Sequence, residues 1–239
     1  MDEEFLSCKI IISSMRVAAL ISGGKDSIYA IYITQQFGWD VTHLITIIPR
    51  NLDSWMYHSV NISLSKLVAS ALQIPHLARE TEGVKEEELE DLKKLLEDLE
   101  IDGVISGAIS SEYQRTRIEK ICDELGLKSF TPLWHKNQTQ LLVEQVEAGF
   151  NIIIVGVYAE GFSEDWLGRR INREVIRELV ALQEKYHINA AGEGGEYETL
   201  TVDAPIFKKK IILDEIKQRW WRDRGFLEVR KAHLEDKIL

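Results

Sequence analysis

Cysteine and proline are scarce in this chain: 239 residues include 2 Cys and 4 Pro. Cys8 and Cys122 stand too far apart in sequence for a zinc knuckle or a C-x-x-C redox pair, which argues against sulfur transfer. Cys122 shares an apolar helical face with Ile118, Ile121 and Leu125 and reads as a core residue. No apolar run approaches the ~20 residues that span a bilayer. The opening Met1-Asp2-Glu3-Glu4 is acidic and the apolar stretch after it is short, so the expectation is a cytoplasmic protein without a secretory leader. Positive charge is in deficit too, with 29 Lys and Arg against 39 Asp and Glu and a net charge of −10. That balance argues against a broad nucleic-acid surface, although Arg115 with Arg117, or Arg169 with Arg170, leaves room for a local basic patch. Internal repeats and low-complexity tracts are absent as well.

What remains is ordinary globular material, 45% hydrophobic and 28% charged, long enough for one large or two small domains. From Met15 the pattern alternates between short apolar runs and amphipathic stretches. Strands are expected at 17–21, 41–48, 74–78, 103–106 and 128–131. Helices are expected at 28–37, around 64–72, around 89–99 and at 118–125. Glu86, Glu87 and Glu88 load the first turn of the third helix, where acids suit the dipole. Repeated βα units of this length predict an α/β fold, a doubly wound parallel sheet of the Rossmann-like type. Pro132 breaks the alternation. A helix at 139–148, a strand at 152–158 and a helix at 175–186 follow, then strands at 199–202, 210–213 and 226–233. The expected division is an extension at 1–14, a first domain at 15–130 and a smaller α+β domain at 131–239.

Directly after the first strand stands Ser22-Gly23-Gly24-Lys25-Asp26-Ser27. A strand, a glycine turn and a helix N-terminus together aim backbone N–H groups and the positive end of a helix dipole at one spot, which suits phosphate. Gly23 and Gly24 let an anion approach the backbone. Lys25 adds positive charge, Ser22 and Ser27 add hydroxyls, and Asp26 is a candidate magnesium ligand. The spacing is not that of a Walker loop. An ordinary glycine turn with a surface Lys–Asp pair is the bland alternative.

Three further segments carry polar groups suited to chemistry. Residues 106–117, SGAISSEYQRTR, follow the fourth strand, which in a doubly wound sheet sets Gly107 and Ala108 beside the Ser22 loop. Gln114, Arg115 and Arg117 then become candidates for phosphate or a substrate carboxylate, against the alternative of a solvated helix start. Residues 156–162, GVYAEGF, place Glu160 on a glycine-flanked turn that suits a pocket rim or, equally, a packed loop near Trp166. Residues 192–199, GEGGEYET, interleave three carboxylates with three glycines. Such a turn repels itself unless a cation binds there, with Tyr197 available for a cation–π contact; a hairpin turn with solvated acids is the competing reading.

SGGKDS matches the SGGxDS loop of the N-type ATP pyrophosphatases, which cleave ATP to AMP and pyrophosphate. Together with GAISSEYQRTRIE, TPLW at 131–134, GVYAEGF and GEGGEYET, it resembles the diphthine–ammonia ligase (diphthamide synthetase) family over nearly the whole chain from Met15. The resemblance implies ATP-dependent amidation, with ammonia, of diphthine on translation elongation factor 2. The diphthine carboxylate attacks the α-phosphorus to give an acyl-adenylate and pyrophosphate, and ammonia displaces AMP. It further implies that Ser22, Gly23, Gly24, Lys25 and Ser27 grip the outer phosphates and that Asp26 takes Mg2+. Thr46, Ile47 and Ile48 at the end of the second strand become neighbours of the adenine, with Met56 and His58 as weaker candidates. Glu193, Glu196 and Tyr197 are expected to face the trimethylammonium group or the incoming ammonia. Lys25, Asp26, Glu193 and Glu196 form the implied catalytic set. Neither cysteine sits in a nucleophile context, so free ammonium is the expected nitrogen source. A homodimer is compatible with the pattern. The rivals are a tRNA-modifying ligase or thiolase of the same superfamily and a non-catalytic nucleotide-binding module.

Overall fold

The computed structural model describes residues 14–49, 61–81 and 85–237. Cys8, Met56 and His58 lie outside the described residues. The first half forms β1 (Arg16–Leu20), α1 (Lys25–Gln36), β2 (Asp40–Pro49), α2 (Ser65–Leu72), β3 (His76–Thr81), α3 (Lys85–Glu97), β4 (Gly103–Ile105), α4 (Glu112–Glu124) and β5 (Lys128–Phe130). The five strands are parallel in the order β3-β2-β1-β4-β5. Val17, Ala18 and Ala19 of β1 are buried on both faces of the sheet, as a central parallel strand requires. The chain leaves β1 toward β2 and later returns to its other side as β4. That reversal opens a crevice at the carboxyl ends of β1 and β4, where doubly wound sheets bind ligands.

Two boundaries differ from expectation for local reasons. β3 starts at His76 rather than 74 because Pro75 has no N–H to give to the ladder; its carbonyl still accepts from the Leu44 amide at 2.8 Å. α4 begins at Glu112, six residues earlier than the apolar periodicity indicates, because Ser111 caps it by accepting from the Gln114 amide.

The second half comprises α5 (Gln138–Glu147), β6 (Asn151–Val157), α6 (Arg173–Tyr186), β7 (Tyr197–Asp203), β8 (Lys209–Trp221) and β9 (Arg224–Asp236). Its four strands form an antiparallel sheet in the order β7-β6-β9-β8. β8 and β9 run well past the lengths read from apolar alternation. Near the turn β9 pairs with β6 at Gly225 and Phe226, while β8 lies at the sheet edge and is held to β9 by cross-strand pairs such as Arg219 with Glu228.

One hydrophobic cluster joins the two halves. It runs from Val17, Ile28 and Val68 to Leu141, Ile152, Leu179 and Leu200. A second cluster, with Ile45, Ile47, Leu92, Leu96 and Ile118, fills the other face of the parallel sheet under α3 and α4. Among the described residues no helix is long and apolar enough to cross a membrane.

Candidate active site

A cleft of about 260 Å³ opens at the carboxyl ends of β1 and β4. Its floor is apolar, with Leu20, Ile21, Ile45, Ile47 and Ile118. One wall is the Ser22 loop running into α1. Gly23 turns with φ +86°, and the N-cap of α1, Gly24, brings no side-chain cap of its own to the helix start beside the cleft. The facing wall is Ser106, Gly107 and Ala108. A Cβ on Gly107 would lie 2.7 Å from the backbone of Asp26 and Ser27, so only glycine lets the two walls approach this closely. Ser106 is buried, lines the cleft, and its hydroxyl has no hydrogen-bond partner among the described residues.

The roof comes from the second half of the chain. The Ala191–Thr199 segment that leads into β7 is tied to both walls. The Gly23 carbonyl accepts from the Thr201 amide at 2.9 Å, and Thr199 Oγ1 accepts from the Lys25 amide at 3.1 Å. Lys25, only 3% exposed, donates from Nζ to the Ala191 carbonyl and to Asp26 Oδ2, each at 2.6 Å, and lies 5.6 Å from the centre of the Tyr197 ring. On the other side Glu193 Oε1 accepts from the amides of Ile109, Ser110 and Ser111 at 2.8–3.2 Å, at the start of α4. The segment richest in acids is thus fastened to both glycine loops.

These bonds also answer how the acidic turn tolerates its charge. Backbone amides meet two of its carboxylates: Glu193 as above, and Glu196, which accepts from Asn189 and Gly194 at 2.8 Å each. Glu196 is therefore engaged in its own turn and does not line the cleft, whereas Glu193 and Glu198 do. Tyr197 lines the cleft with its ring, but its hydroxyl donates to the Ala190 carbonyl at 2.8 Å. Burial, then the nearby charges of Asp26 and Glu196, push the Tyr197 phenol well above its usual pKa, so it stays protonated.

Of the adenine candidates, Ile47 lines the cleft, while Thr46 and Ile48 do not. Alternation along β2 turns Thr46 away, where its hydroxyl donates to the Ile21 carbonyl at 3.0 Å and lies 2.9 Å from His76 Nε2. Gln114 lines the cleft; Arg115 and Arg117 stand outside it. Arg115 lies over the Trp134 ring and pairs with Glu112 and Glu119, and Arg117 lies over the Tyr113 ring at 3.6 Å. Arg115 thus joins α4 to the loop after β5, and Arg117 lies along its own helix. Glu160 is exposed and away from the cleft, and the loop around it is packed through buried Phe162 and Trp166, so the packed-loop alternative describes that segment.

Two contributors were missed in the sequence. Gln145 of α5 is fully buried and donates from Nε2 to Asp26 Oδ1 at 3.0 Å. Its signal was a polar side chain four residues after Leu141 on the apolar face of the helix. Glu198 was legible as part of the acidic motif but was not singled out. Among the described residues no group of three His, Cys, Asp or Glu side chains gathers that could hold a metal by itself. Asp26 alone fits Mg2+ in the way common at phosphate sites, one carboxylate with the remaining oxygens from phosphates and water.

Models of the diphthamide synthase N-terminal and C-terminal domains match residues 15–129 and 137–234. The chain belongs to the diphthamide synthase family. It is 38% identical over 250 residues to a diphthine–ammonia ligase of Danio rerio, covering 93% of this chain and 98% of that one. A human protein of the same name is 36% identical over 252 residues, covering 94% of each chain. A solved structure described as a predicted subunit of a tRNA methyltransferase from Methanocaldococcus jannaschii aligns with a TM-score of 0.45 and 19% identity, over 80% of this chain and 98% of that one. In this diphthamide synthase family chain the two matched regions meet in the cleft: the first supplies both walls and the second supplies the roof.

Proposed function

We propose that this chain is an ATP-dependent carbon–nitrogen ligase that converts diphthine, carried on translation elongation factor 2, to diphthamide with ammonia, releasing AMP and pyrophosphate. The observation that carries the reading is the Ala191–Thr199 segment. It bonds through Thr199 and Ala191 to the ATP-type loop and through Glu193 to the start of α4, so the family-specific acids and the phosphate-type loop form one site.

In this reading the start of α1, Ser22, Ser27 and Lys25 receive the β- and γ-phosphates and stabilise the leaving pyrophosphate. Lys25 Nζ exchanges the Ala191 carbonyl for a phosphate oxygen as ATP enters. Asp26, oriented by Gln145, would hold Mg2+, which would add Lewis-acid neutralisation of the phosphate charge. The apolar floor at Ile45 and Ile47 takes the adenine, and Ser106 with Gly107 and Ala108 closes the opposite side. Gln114 stays near the acyl end. Glu193 and Glu198 give that end negative charge suited to a trimethylammonium group or ammonium.

The test is AMP release from ATP and magnesium with ammonium and diphthine-bearing elongation factor 2 each omitted in turn. AMP only from the complete mixture, with an amide gained on the factor by mass spectrometry, is the expected result. AMP without the factor would assign a different acyl substrate. ATP binding with no AMP under any condition would favour a non-catalytic nucleotide-binding module.

A further inference from the structure

The molecule is strongly acidic, yet the outer half of the β8–β9 hairpin is not. In its register Lys217 faces Glu228, Arg219 faces Phe226 and Trp221 faces Arg224. Directly opposed residues of an antiparallel pair project from the same side of the ribbon. The register shifts at Arg230, but its guanidinium lies 3.4 Å from Glu228 and so shares that side. One face thus carries Lys217, Arg219, Arg224 and Arg230; Arg219 and Arg230 share Glu228, Arg230 also reaches Glu215 at 3.6 Å, and Arg224 pairs with Asp223 at 3.5 Å. Among the described residues no carboxylate pairs with Lys217. At the tip, Trp221 stacks beside Phe226 at 5.4 Å and is 54% exposed, one of three large hydrophobic side chains so exposed among the described residues. The opposite face is turned inward: Leu227 is fully buried and Gly225 sits close to Leu167.

The ribbon is also fastened to the rim of the cleft. Buried Asn61 donates to the Leu227 carbonyl at 3.0 Å and accepts from the Val229 amide at 3.2 Å, and its neighbour Ile62 lines the cleft. An aromatic anchor ringed by cations beside the active cleft has the make-up of a protein-docking surface, in which aromatic residues and arginine are enriched.

We infer that this outward face docks the diphthine-bearing protein through an acidic patch on that protein, an inference that rests on the ligase reading above. The rest of the enzyme repels an acidic partner, so one basic face both attracts and orients it. A nucleic acid fits less well, because its phosphates would meet Glu228 at the centre of the face and a net-negative body behind it.

The experiment compares wild type with Lys217→Glu, Trp221→Ala and Arg224→Glu, singly and combined, in steady-state amidation of the diphthine-bearing protein. The combined variant is expected to raise KM for that protein roughly tenfold or more, with kcat, ATP affinity and melting temperature unchanged. Its KM should lose the rise with added salt that wild type shows. A wild-type KM and salt response in the combined variant overturns the proposal. So does tighter binding of a tRNA probe than of the protein by wild type, if the same substitutions abolish it. Should the combined variant melt earlier, Lys217→Glu alone, at an exposed site, decides by the same readouts. If wild type forms no amide at all, the ligase reading itself fails and the docking proposal falls with it.

Discussion

Glu196 and Gln145 stand on opposite sides of the same lesson about single residues. Glu196 has the charge that a cation-binding role asks for, but both of its carboxylate oxygens accept from backbone amides of its own turn. Glutamine in its place offers one acceptor and one NH2 donor, so one amide would face another donor. Glu196→Gln should cost about 1–3 kcal/mol in urea unfolding and weaken ATP binding and amide formation together. Loss of the amide step alone, with stability and ATP binding intact, would return Glu196 to a substrate-facing role. Gln145 behaves in the opposite way. It is buried without exposure and holds Asp26 Oδ1, while its own Oε1 has no partner among the described residues. Replacing it with leucine removes a hydrogen bond to a charged group, worth about 1.5–3 kcal/mol, yet removes an unsatisfied buried oxygen as well. Gln145→Leu should therefore lower kcat/KM for ATP by about tenfold or more without lowering the melting temperature. A parallel loss of both would mean that Gln145 supports only the fold.

Among the elements, the closest approach is between the start of α1 and the loop after β4. Gly107 makes it possible, since a Cβ there would sit 2.7 Å from the Asp26 and Ser27 backbone. Gly107→Ala must push the two walls apart, and neither contact is the flexible end of a side chain. Titration calorimetry should show ATP affinity down roughly tenfold or more, with about 1–3 kcal/mol lost in stability. Gly126→Ala is the contrast: a Cβ there meets nothing within 4 Å, and its cost is a φ of +68° far from the cleft. It should destabilise by about 1 kcal/mol and leave ATP affinity alone. Equal effects of the two on ATP would remove Gly107 from the site. Elements of this kind were legible where apolar periodicity or a glycine loop marks them, so the parallel sheet and the Ser22 loop could be read directly. The partners of the acidic turn could not. Glu193 accepts from the backbone of residues 109–111, and a backbone amide has no letter in the sequence. The far half of β8 was hidden for another reason, because its residues from Asp214 to Gln218 are all exposed and leave no alternating buried pattern.

On the scale of the whole chain, the shared cluster that runs from Val17 and Ile28 through Leu141 and Ile152 to Leu200 decides how the protein unfolds. Neither sheet buries its apolar face without the other, so the halves matched by separate family models should not melt separately. The cleft strengthens the coupling, since the Thr201–Gly23, Lys25–Thr199 and Glu193–Ser110 bonds all cross between the halves. Native-state hydrogen exchange can test this directly. Amides in β1 and in β6 should exchange through one common opening with the same free energy. ATP at about 100 times its Kd should raise that free energy by about 2.7 kcal/mol for both strands alike. If β6 instead opened at its own lower free energy and ignored ATP, the second half would be a separable domain that merely touches the cleft, and the bonds from the Ala191–Thr199 segment would count for packing rather than for ligand binding.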